Sequence, residues 1–398
     1  MRLDKDTPPR FPAPMTITGR NAHREDNMPH DSLELRSTIT ADGTLRVNLD
    51  RVSVPDPGKG ELLVRVEAAP VNPSDLGLLF GPADMATLKA EGTKDAPVLT
   101  ASVPPHLLPA VSARLDQSMP VGNEGAGTVI AAGPDLQDLI GRRVAMIGGA
   151  MYAELRLIRP EACIVLPEGA GAAEGAALFV NPLTALGFVE TMRAEGHKAI
   201  VHVPAASNLG QMLVRICKAD GIELVNIVRS PAQAELLRSI GATHVLDSSA
   251  PDFRRTLEEA IAATEATLAF DAIGGGEMTS TILNAIEAVA ARSLESYDRY
   301  GSSTMKQVYV YGALDTGPTI LKRGFGFTWG IGGWLLFNAL KRMDPAIVQR
   351  MRERVAAEMT TTFASHYTAT ISLADVLKPE IALACQKKAT GEKYLITP

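Results

Sequence analysis

The first part of the chain alternates apolar and polar residues over short runs separated by turn-forming residues. The run 33–47 is interrupted by Asp42-Gly43, a pair typical of a tight hairpin turn. The run 61–69 follows a Pro- and Gly-rich turn and alternates apolar with charged side chains, as a half-buried strand does. Two shorter apolar runs follow at 122–130 and 143–147. This pattern predicts a β-rich region.

The pattern changes near Pro182, after which short apolar runs alternate with segments of helical periodicity. The predicted strands lie at 199–203, 223–229, 243–247, 267–273 and 307–312. The predicted helices lie at 209–219, 232–240, 253–263 and 278–291. Strands that alternate with helices at this spacing are typical of a parallel, doubly wound sheet, so the fold class is α/β.

Composition and charge narrow the class of function. Lys and Arg together number 39 and Asp and Glu 45, so the net charge of −6 lacks the basic excess of a nucleic-acid-binding protein. The three cysteines, Cys163, Cys217 and Cys385, are too far apart in sequence for a C-x-x-C metal knuckle. An odd and small number also argues against a secreted disulfide framework, so we expect a cytoplasmic location.

Two segments could be mistaken for targeting or membrane signals. Residues 1–30 carry charges of both signs and lack an apolar core, which predicts a flexible N-terminal extension. Residues 324–340 form a stretch of 17 without a charge, at the lower limit for a spanning helix. Because five glycines dilute its hydrophobicity, we expect a buried or subunit-facing segment and no membrane span.

The strongest chemical signal is the loop that follows the predicted strand 199–203. If Gly210 is the third glycine of a G-x-G-x-x-G motif, then Ala205 and Ser207 stand at the first two glycine positions. Small residues there let the backbone approach a pyrophosphate, and the helix N-terminus presents free N–H groups. The candidate cofactor contacts are Ala206, Ser207, Asn208, Leu209 and Gly210. The alternative is a tight strand-to-helix turn without a ligand.

A basic residue ends the next predicted strand. Arg229 lies 19 residues after Gly210, where a carboxylate would hydrogen-bond the 2′-hydroxyl of NAD. An arginine can instead neutralise a 2′-phosphate, and Lys218 at the end of the intervening helix could add charge. This favours NADPH over NADH. The alternative is that Arg229 is only a solvated residue at a strand end.

Several motifs occur in a fixed order along the chain, and together they are specific. They are V-N-P-S-D at 71–75, V-G-N-E-G-A-G at 121–127, G-R-R-V at 141–144, N-P-L-T-A-L at 181–186, G-A-T-H-V at 241–245, F-D-A-I-G-G at 270–275 and V-Y-G-A-L at 310–314. On these residues the chain resembles the medium-chain dehydrogenase/reductase superfamily, most closely its zinc-independent quinone oxidoreductase branch.

The resemblance implies a split architecture. A GroES-like, β-rich catalytic domain would span 31–182 and be completed by 337–398, and a Rossmann NADPH-binding domain would span 183–336. The active site would lie in the cleft between the two domains. The family also implies a homodimer, often built by extending two nucleotide-domain sheets edge to edge.

The resemblance also assigns roles to particular residues. Asn72 matches an asparagine beside the nicotinamide, and Thr184 matches a threonine that contacts the cofactor. Gly274, Gly312 and Leu314 follow strands at the sheet edge where dinucleotides lie. Lys388 matches a basic residue that approaches the 2′-phosphate, although a solvated charge fits equally well.

Zinc-dependent relatives carry a cysteine and a histidine at positions that match Asn72 or Pro73 and Asn123. Since asparagine is a poor zinc ligand, we expect no metal in this chain. Without a Lewis acid, reduction of an activated acceptor is more plausible than oxidation of an alcohol.

The chain departs from the family pattern in two places. Gly77 and Ala83 stand where the branch carries tyrosines, which leaves Tyr152 or solvent as the candidate proton donor. The link from Gly81 to Val121 is longer than the family pattern, and we expect it to roof the substrate site. Its Lys89, Lys94 and Arg114 could form a basic rim.

The combined prediction is an NADPH-dependent, zinc-independent reductase of a small-molecule acceptor, either a quinone or an α,β-unsaturated carbonyl compound. Two alternatives stay open. The first is enoyl-thioester reduction, for which the basic rim would hold a coenzyme A phosphate. The second is a non-catalytic NADPH-binding sensor, which the missing tyrosines would suit.

Overall fold

The computed structural model describes residues 30–387 and 393–398. The predicted extension 1–30 therefore lies outside the described residues, except for His30 at the start of the first strand, and so does Lys388. The strands of the first half are β1 (His30–Ile39), β2 (Thr44–Val54), β3 (Leu62–Pro70), β4 (Asp84–Gly92), β5 (Pro97–Ser102), β6 (Met119–Pro120), β7 (Glu124–Ala132), β8 (Arg143–Ile147), β9 (Leu155–Ile158) and β10 (Cys163–Val165).

Short helices connect these strands. They are α1 (Pro73–Leu79), α2 (Ala172–Gly175) and the 3-10 segments Pro105–Arg114, Gln137–Leu139 and Pro160–Ala162. The predicted hairpin is confirmed: β1 and β2 are antiparallel, with Ile39 opposite Leu45. Gly43 in the turn has φ of +86°, a backbone conformation that favours glycine over residues with a Cβ.

The strands of the first half form two sheets. One has the order β4-β5-β2-β1-β6. The other contains β10, β8, β7 and β3, with β9 also paired to β3. Apolar side chains from both sheets share one core, which includes Leu35, Val47, Val64 and Val129. The predicted β-rich region is therefore confirmed.

The second half begins with a long, apolar helix, α3 (Val180–Ala194). Its strands are β11 (Ala199–Val203), β12 (Glu223–Val228), β13 (His244–Asp247), β14 (Leu268–Asp271), β15 (Gly274–Gly276), β16 (Lys306–Val310), β17 (Asp315–Thr319) and β18 (Trp329–Gly333). Its further helices are α4 (Asn208–Asp220), α5 (Pro231–Ser239), α6 (Phe253–Thr264) and α7 (Met278–Ala291).

Six of these strands form a parallel sheet in the order β13-β12-β11-β14-β16-β18. This order, with the first strand at the centre and crossovers in both directions, is that of a doubly wound dinucleotide-binding sheet. The predicted α/β class is confirmed. The edge strand β18 comes from the glycine-rich stretch 324–340. No strand was predicted there, because glycine weakens strands.

The C-terminal segment contacts both halves. It contains α8 (Leu336–Arg342), α9 (Pro345–Ala357), β19 (Ala369–Ile371), a 3-10 segment (Ala374–Leu377), α10 (Pro379–Gln386) and β20 (Tyr394–Ile396). Helices α8 and α9 pack against α3, on the side of the parallel sheet. Strand β20 pairs with β3, and β19 pairs with β20, so this later part completes the β-rich region. The domain division at 337 stays a prediction.

The long link 81–121 does not form a separate flap. Its strand β5 lies between β4 and β2 in the first sheet and buries Val98, Leu99 and Ala101. Arg114 donates to the Ser37 hydroxyl at 3.1 Å, which anchors the following 3-10 segment. The link is an integral extension of the sheet whose hairpin supplies core residues, and the expectation that it roofs the substrate site stays a prediction.

One helical stretch within the described residues, Ala172–Ala194, is long and apolar enough by composition to cross a membrane. Buried residues make up 72% of its most apolar window, and the core helix of a globular protein passes the same test.

Candidate active site

The carboxyl ends of the parallel strands bring most of the predicted cofactor contacts to one edge of the sheet. Ser207 follows β11, Arg229 follows β12, Gly274 follows β14, and Gly312 and Leu314 follow β16. In doubly wound sheets, ligands bind at this edge. The topology therefore assembles residues that are more than 100 positions apart in the sequence.

The loop after β11 is shaped for close packing. A Cβ at Gly210 would overlap the carbonyl oxygen of Ala205, so only glycine lets α4 start this near the strand end. Ser207 is the N-cap of α4, and its hydroxyl accepts a hydrogen bond from the Gly210 N–H at 3.1 Å. The other first-turn amides of a helix have no partner within the helix. The loop and helix therefore have the form of an anion-binding turn.

The remaining loop residues differ in what their side chains do. Ala206 and Leu209 are buried, so only their backbone could contact a ligand at this turn. The Asn208 amide group donates to the Ser365 hydroxyl at 3.2 Å. Ser365 comes from the segment that returns from α9 to β19, so this hydrogen bond joins the start of α4 to the C-terminal part of the chain.

Arg229 and Lys218 lie at opposite edges of the parallel sheet. Arg229 is exposed at the carboxyl edge, and its guanidinium makes no ion pair with any of the described residues. Lys218 lies in the last turn of α4 and packs against Gly241, near the amino ends of the strands. The predicted pairing of both residues on one phosphate is therefore wrong for Lys218, because the helix carries it away from that edge.

The loops after β14 and β16 are tied together. Gly274 has φ of +79°, and a Cβ at Gly312 would meet the Ala272 carbonyl oxygen at 2.9 Å. The Leu314 N–H donates to the same carbonyl at 3.0 Å, and 40% of Leu314 is exposed. The Asp271 carboxylate accepts from Ile273 N–H and the Thr279 hydroxyl. These bonds hold both loops in place at the sheet edge.

A concavity of about 500 Å³ opens beyond the ends of β16 and β18. Its lining comprises Val310, Tyr311, Gly312, Ala313, Gly333, Trp334, Leu335, Asn338 and Arg342. Behind it, the Tyr311 hydroxyl lies 2.8 Å from His202 Nε2 in the core. Burial lowers the pKa of His202 to about 3, so this imidazole is neutral at physiological pH.

A buried hydrogen-bond network joins the β-rich region to α3. The Asn72 side-chain N–H donates to Glu124 Oε1 at 2.7 Å. Glu124 Oε2 accepts from the backbone N–H groups of Phe179 (2.9 Å) and Val180 (2.8 Å) at the start of α3. Thr184 follows one turn later and is also buried. Asn72 and Thr184 therefore lie at the same junction, and their predicted contacts with a cofactor stay predictions.

Asp75 fixes the backbone on either side of this network. Its carboxylate accepts from the N–H groups of Asn72 and Asn123, each at 2.8 Å. Burial raises the pKa of Asp75 to about 7, against the opposing effect of these two hydrogen bonds. The Asn123 side chain donates to the Ser74 hydroxyl at 3.1 Å.

Tyr152 is not placed to donate a proton to an acceptor. Its side chain is fully buried, and its hydroxyl donates to the Pro70 carbonyl oxygen at 3.1 Å. Burial holds its pKa well above the ordinary value, with a further contribution from the nearby Asp75 charge. Gly122 packs directly on its ring. The prediction of Tyr152 as a replacement donor is corrected, because the residue is part of the core.

Sequence reasoning missed three residues whose polar groups are buried at this junction. They are Glu124, Tyr367 and Lys393. The Lys393 ammonium lies 5.5 Å from the centre of the Tyr367 ring. Burial lowers the pKa of Lys393, and the charges of Glu124 and Asp75 oppose that effect. A lysine directly before the apolar terminal strand was the signal available.

Comparisons with known proteins agree with this arrangement. A family profile described as zinc-binding dehydrogenase matches residues 209–292. The structure of an NADPH:quinone reductase from Mesorhizobium loti aligns over 95% of this chain and 100% of its own, with a TM-score of 0.67 and 25% identity. These likenesses support membership of the medium-chain dehydrogenase/reductase superfamily.

Within the superfamily, the relatives include both quinone and enoyl reductases. A quinone oxidoreductase from Pseudomonas aeruginosa is 30% identical over 44% of this chain and 54% of its own length. A mitochondrial enoyl-[acyl-carrier-protein] reductase from Caenorhabditis elegans is 26% identical over 58% of this chain and 60% of its own length. These alignments thus span only about half to three fifths of the two curated relatives.

The medium-chain reductase fold gives the two regions their names. The β-rich region is the GroES-like domain, and the six-stranded parallel sheet belongs to the Rossmann domain. Within residues 30–387 and 393–398 there is no group of three or more His, Cys, Asp or Glu side chains arranged to hold a metal ion. The expected independence from zinc stays a prediction that rests on the residues at positions 72 and 123.

Proposed function

We propose that this protein is an NADPH-dependent oxidoreductase that delivers hydride to a quinone or to an α,β-unsaturated carbonyl compound. The observation that carries the proposal is the convergence of the glycine-loop helix, Arg229 and Gly312 at one sheet edge, beside a concavity of about 500 Å³. The similarity to quinone and enoyl reductases supports the same class of reaction.

The residues at this edge fit the parts of NADPH. The Ser207–Gly210 turn and the N-terminus of α4 would hold the pyrophosphate, because they offer free amides and no side chain that blocks approach. The unpaired guanidinium of Arg229 would hold the 2′-phosphate through charge-assisted hydrogen bonds. Asn72 and Thr184 would face the nicotinamide end.

When bound, NADPH supplies a hydride. The chain itself contributes binding, orientation and exclusion of water. The network of Glu124, Asn72 and the α3 amides fixes the junction between the two domains, so the orientation of an acceptor there does not depend on mobile side chains. Asn72 and Asn123 are amides where a zinc enzyme needs a thiolate and an imidazole, which favours a reaction without a metal.

Enoyl-thioester reduction is the second candidate. The names of several relatives favour it. Of the predicted basic rim, Lys89 and Lys94 are exposed. Arg114, by contrast, is tied to Ser37 within the sheet. Only two of the three predicted basic side chains would therefore be free to bind a coenzyme A phosphate.

We propose in addition that the protein forms homodimers through the edge strand β18. This strand is the last of the parallel sheet, so its outer edge is free to pair. Phe327 and Leu335 flank it with 72% and 54% of their surface exposed. A cytoplasmic location remains our proposal from the cysteine pattern. Size-exclusion chromatography with light scattering, on the protein and on Phe327→Asp, would test the dimer.

The decisive experiment measures consumption of NADPH and of NADH by the purified protein, with its metal content determined, against quinones, enones and enoyl thioesters. We expect turnover with NADPH and one acceptor class. Turnover of enoyl thioesters alone would favour the second candidate. Tight NADPH binding without turnover across the panel would favour a non-catalytic sensor, and no NADPH binding would refute the proposal.

A further inference from the structure

Three buried polar atoms at the domain junction lack hydrogen-bond partners among the described residues. They are Asn72 Oδ1, the Tyr367 hydroxyl and Lys393 Nζ. Buried polar groups are nearly always paired, and an unpaired buried ammonium is the most costly kind. The three are neighbours of one carboxylate, Glu124, which bonds Asn72 and acts electrostatically on the other two. We call these three residues the Lys393 triad.

The backbone holds Lys393 and Tyr367 in a fixed relation. The Lys393 N–H donates to the Thr368 hydroxyl at 3.1 Å, and the Thr368 N–H donates to the Lys393 carbonyl oxygen at 2.7 Å. The ammonium then lies over the Tyr367 ring, 5.5 Å from its centre. The positions of the Lys393 ammonium and the Tyr367 hydroxyl are therefore set by main-chain hydrogen bonds and not by a bond between the two groups.

Glu124 does not form a hydrogen bond with the Lys393 ammonium. Its two oxygens already accept from Asn72 and from two backbone amides of α3. The titratable groups that face Lys393 are Glu124, Asp75 and Tyr367, and none of them forms a hydrogen bond with its ammonium. The N–H donors of the buried lysine ammonium thus have no acceptor among the described residues.

We propose that Lys393 Nζ, which lies over the Tyr367 ring, binds the carbonyl oxygen of the acceptor together with the Tyr367 hydroxyl and supplies the proton that this oxygen takes up. The proposal rests on the proposed function, and it names the acid that replaces the tyrosines missing at Gly77 and Ala83. The reduction brings two electrons to the acceptor, and a carbonyl electron pair moves onto oxygen. An N–H bond of Lys393 breaks as the new O–H bond forms, and solvent returns the proton to the amine.

Burial supports this role for an amine. Since burial lowers the pKa of Lys393, its ammonium is a stronger acid than a solvated lysine. Tyr367 has the opposite shift, because burial and the Glu124 charge raise its pKa. The lysine is therefore the acid, and the phenol is a second hydrogen-bond donor to the same oxygen.

The test uses 4-nitrophenol, a probe that cannot accept hydride at a carbonyl carbon and whose anion absorbs visible light. The full-length protein is titrated with the probe, with and without NADP⁺, at a pH just below the probe's own pKa. We expect the bound probe to be shifted toward its anion, because a cationic donor stabilises the phenolate oxygen. If the native protein does not bind the probe, or binds it without shifting it toward its anion, the proposal is overturned. This result requires no variant.

Variants then assign the effect to the triad. Lys393→Met keeps the length of the side chain, removes the charge and should weaken probe affinity at least about tenfold. Tyr367→Phe removes one donor and should weaken it less. Lys198→Met, an exposed lysine paired with Glu265, is the matched control and should change nothing. If Lys393→Met fails to fold, Tyr367→Phe and the native titration still decide.

The outcomes separate this inference from the proposed function. NADPH affinity, followed by nicotinamide fluorescence, should stay within about twofold in Lys393→Met, because the charges that act on Lys393 are Glu124 and Asp75 and not the strand-end residues assigned to the phosphates. Loss of probe binding with intact NADPH binding supports the proposal. Equal probe affinity in Lys393→Met and native protein refutes it and leaves Lys393 as a counter-charge for Glu124 and Asp75. If native protein binds the probe but not NADPH, the proposed function fails and the oxygen-binding site stands.

Discussion

The Rossmann and GroES-like domains place their functional groups by different means. In the Rossmann domain, the candidate contacts are mostly backbone groups and glycines at the ends of regular strands and helices. In the GroES-like domain, they are buried side chains that meet from distant segments, as when Asn72 bonds Glu124 across 52 positions of sequence. Local periodicity therefore predicts the first kind of site, whereas the second kind depends on tertiary packing.

Removal of residues 86–116 should give the largest effect. The deletion takes away β5, which lies inside the first sheet and buries Val98, Leu99 and Ala101. At roughly 1.5–3 kcal/mol for each of Val98, Leu99 and the equally buried Val103, the loss approaches the whole stability of a typical domain, about 5–15 kcal/mol. We expect no soluble folded protein, as judged by circular dichroism and expression.

A matched control keeps the strands of this hairpin and changes only its tip. Replacing the exposed Lys94-Asp95, which lies between the mutually hydrogen-bonded Thr93 and Ala96, by Asn-Gly should preserve the fold, because such a pair suits a two-residue hairpin. If the full deletion folds and alters only the choice of acceptor, the segment acts as a lid, as the sequence suggested, and the sheet does not depend on it.

The next effect comes from the side-chain network. Glu124→Ala leaves three buried N–H donors, from Asn72, Phe179 and Val180, without an acceptor. Since each unsatisfied donor costs roughly 1–3 kcal/mol, we expect a loss of at least ~3 kcal/mol in the free energy of unfolding. Chemical denaturation followed by tryptophan fluorescence measures it.

Glu124→Gln is the informative companion variant. Its amide oxygen can accept the two α3 amides, and rotation of Asn72 would turn its free Oδ1 toward the new NH₂ group. We therefore expect a smaller loss of stability than in Glu124→Ala. Equal losses in the two variants would show that the negative charge, and not hydrogen bonding, holds the junction.

The glycine loop provides the corresponding test in the Rossmann domain. In Gly210→Ala, the new Cβ overlaps the Ala205 carbonyl oxygen, a backbone atom that cannot rotate away. We expect a loss of about 1–3 kcal/mol from overpacking, together with weaker NADPH binding. Gly77→Ala is the control: the residue lies in helix α1, and its Cβ would meet nothing within 4 Å. Thermal melting of both variants should show a decrease only for Gly210→Ala.

The sequence predicted the Rossmann domain closely because each element has its own signal. Strand β11 and helix α7 have the bounds that their apolar spacing indicates, and Gly210 has a motif around it. The edge strand β18 escaped because glycines interrupt its apolar run. In the GroES-like domain, strand β4 was not predicted because it is largely exposed and its sequence shows no clear apolar–polar alternation.

The GroES-like site was predicted only in part. Asn72 had a family motif, but nothing near it in sequence indicates that it bonds Glu124, whose charge also acts on Tyr367 and Lys393. Tyr152 was chosen for its chemistry, and tertiary packing buried its hydroxyl against Pro70. Lys218 was chosen for its charge, and the length of α4 carries it to the wrong end of the sheet. For Asn72 and Tyr152 the deciding contact is long-range.

Arg229→Asp should give the smallest change in stability and a clear change in cofactor binding. Arg229 is exposed and makes no ion pair within the described residues, so its loss should leave the melting temperature nearly unchanged. The dissociation constant of NADPH should rise at least about tenfold, or ~1.4 kcal/mol, because a charge-assisted phosphate contact is replaced by repulsion. The constant for NADH should change far less, since NADH lacks the 2′-phosphate.

Lys218→Met is the control that sharpens this comparison. Lys218 carries the same charge and belongs to the preceding helix, yet it packs against Gly241 at the other end of the sheet. We expect its NADPH affinity to equal that of the native protein in fluorescence titrations at low and moderate salt. An effect in Lys218→Met equal to that in Arg229→Asp would mean that net charge, and not a phosphate site at the carboxyl edge, governs cofactor choice.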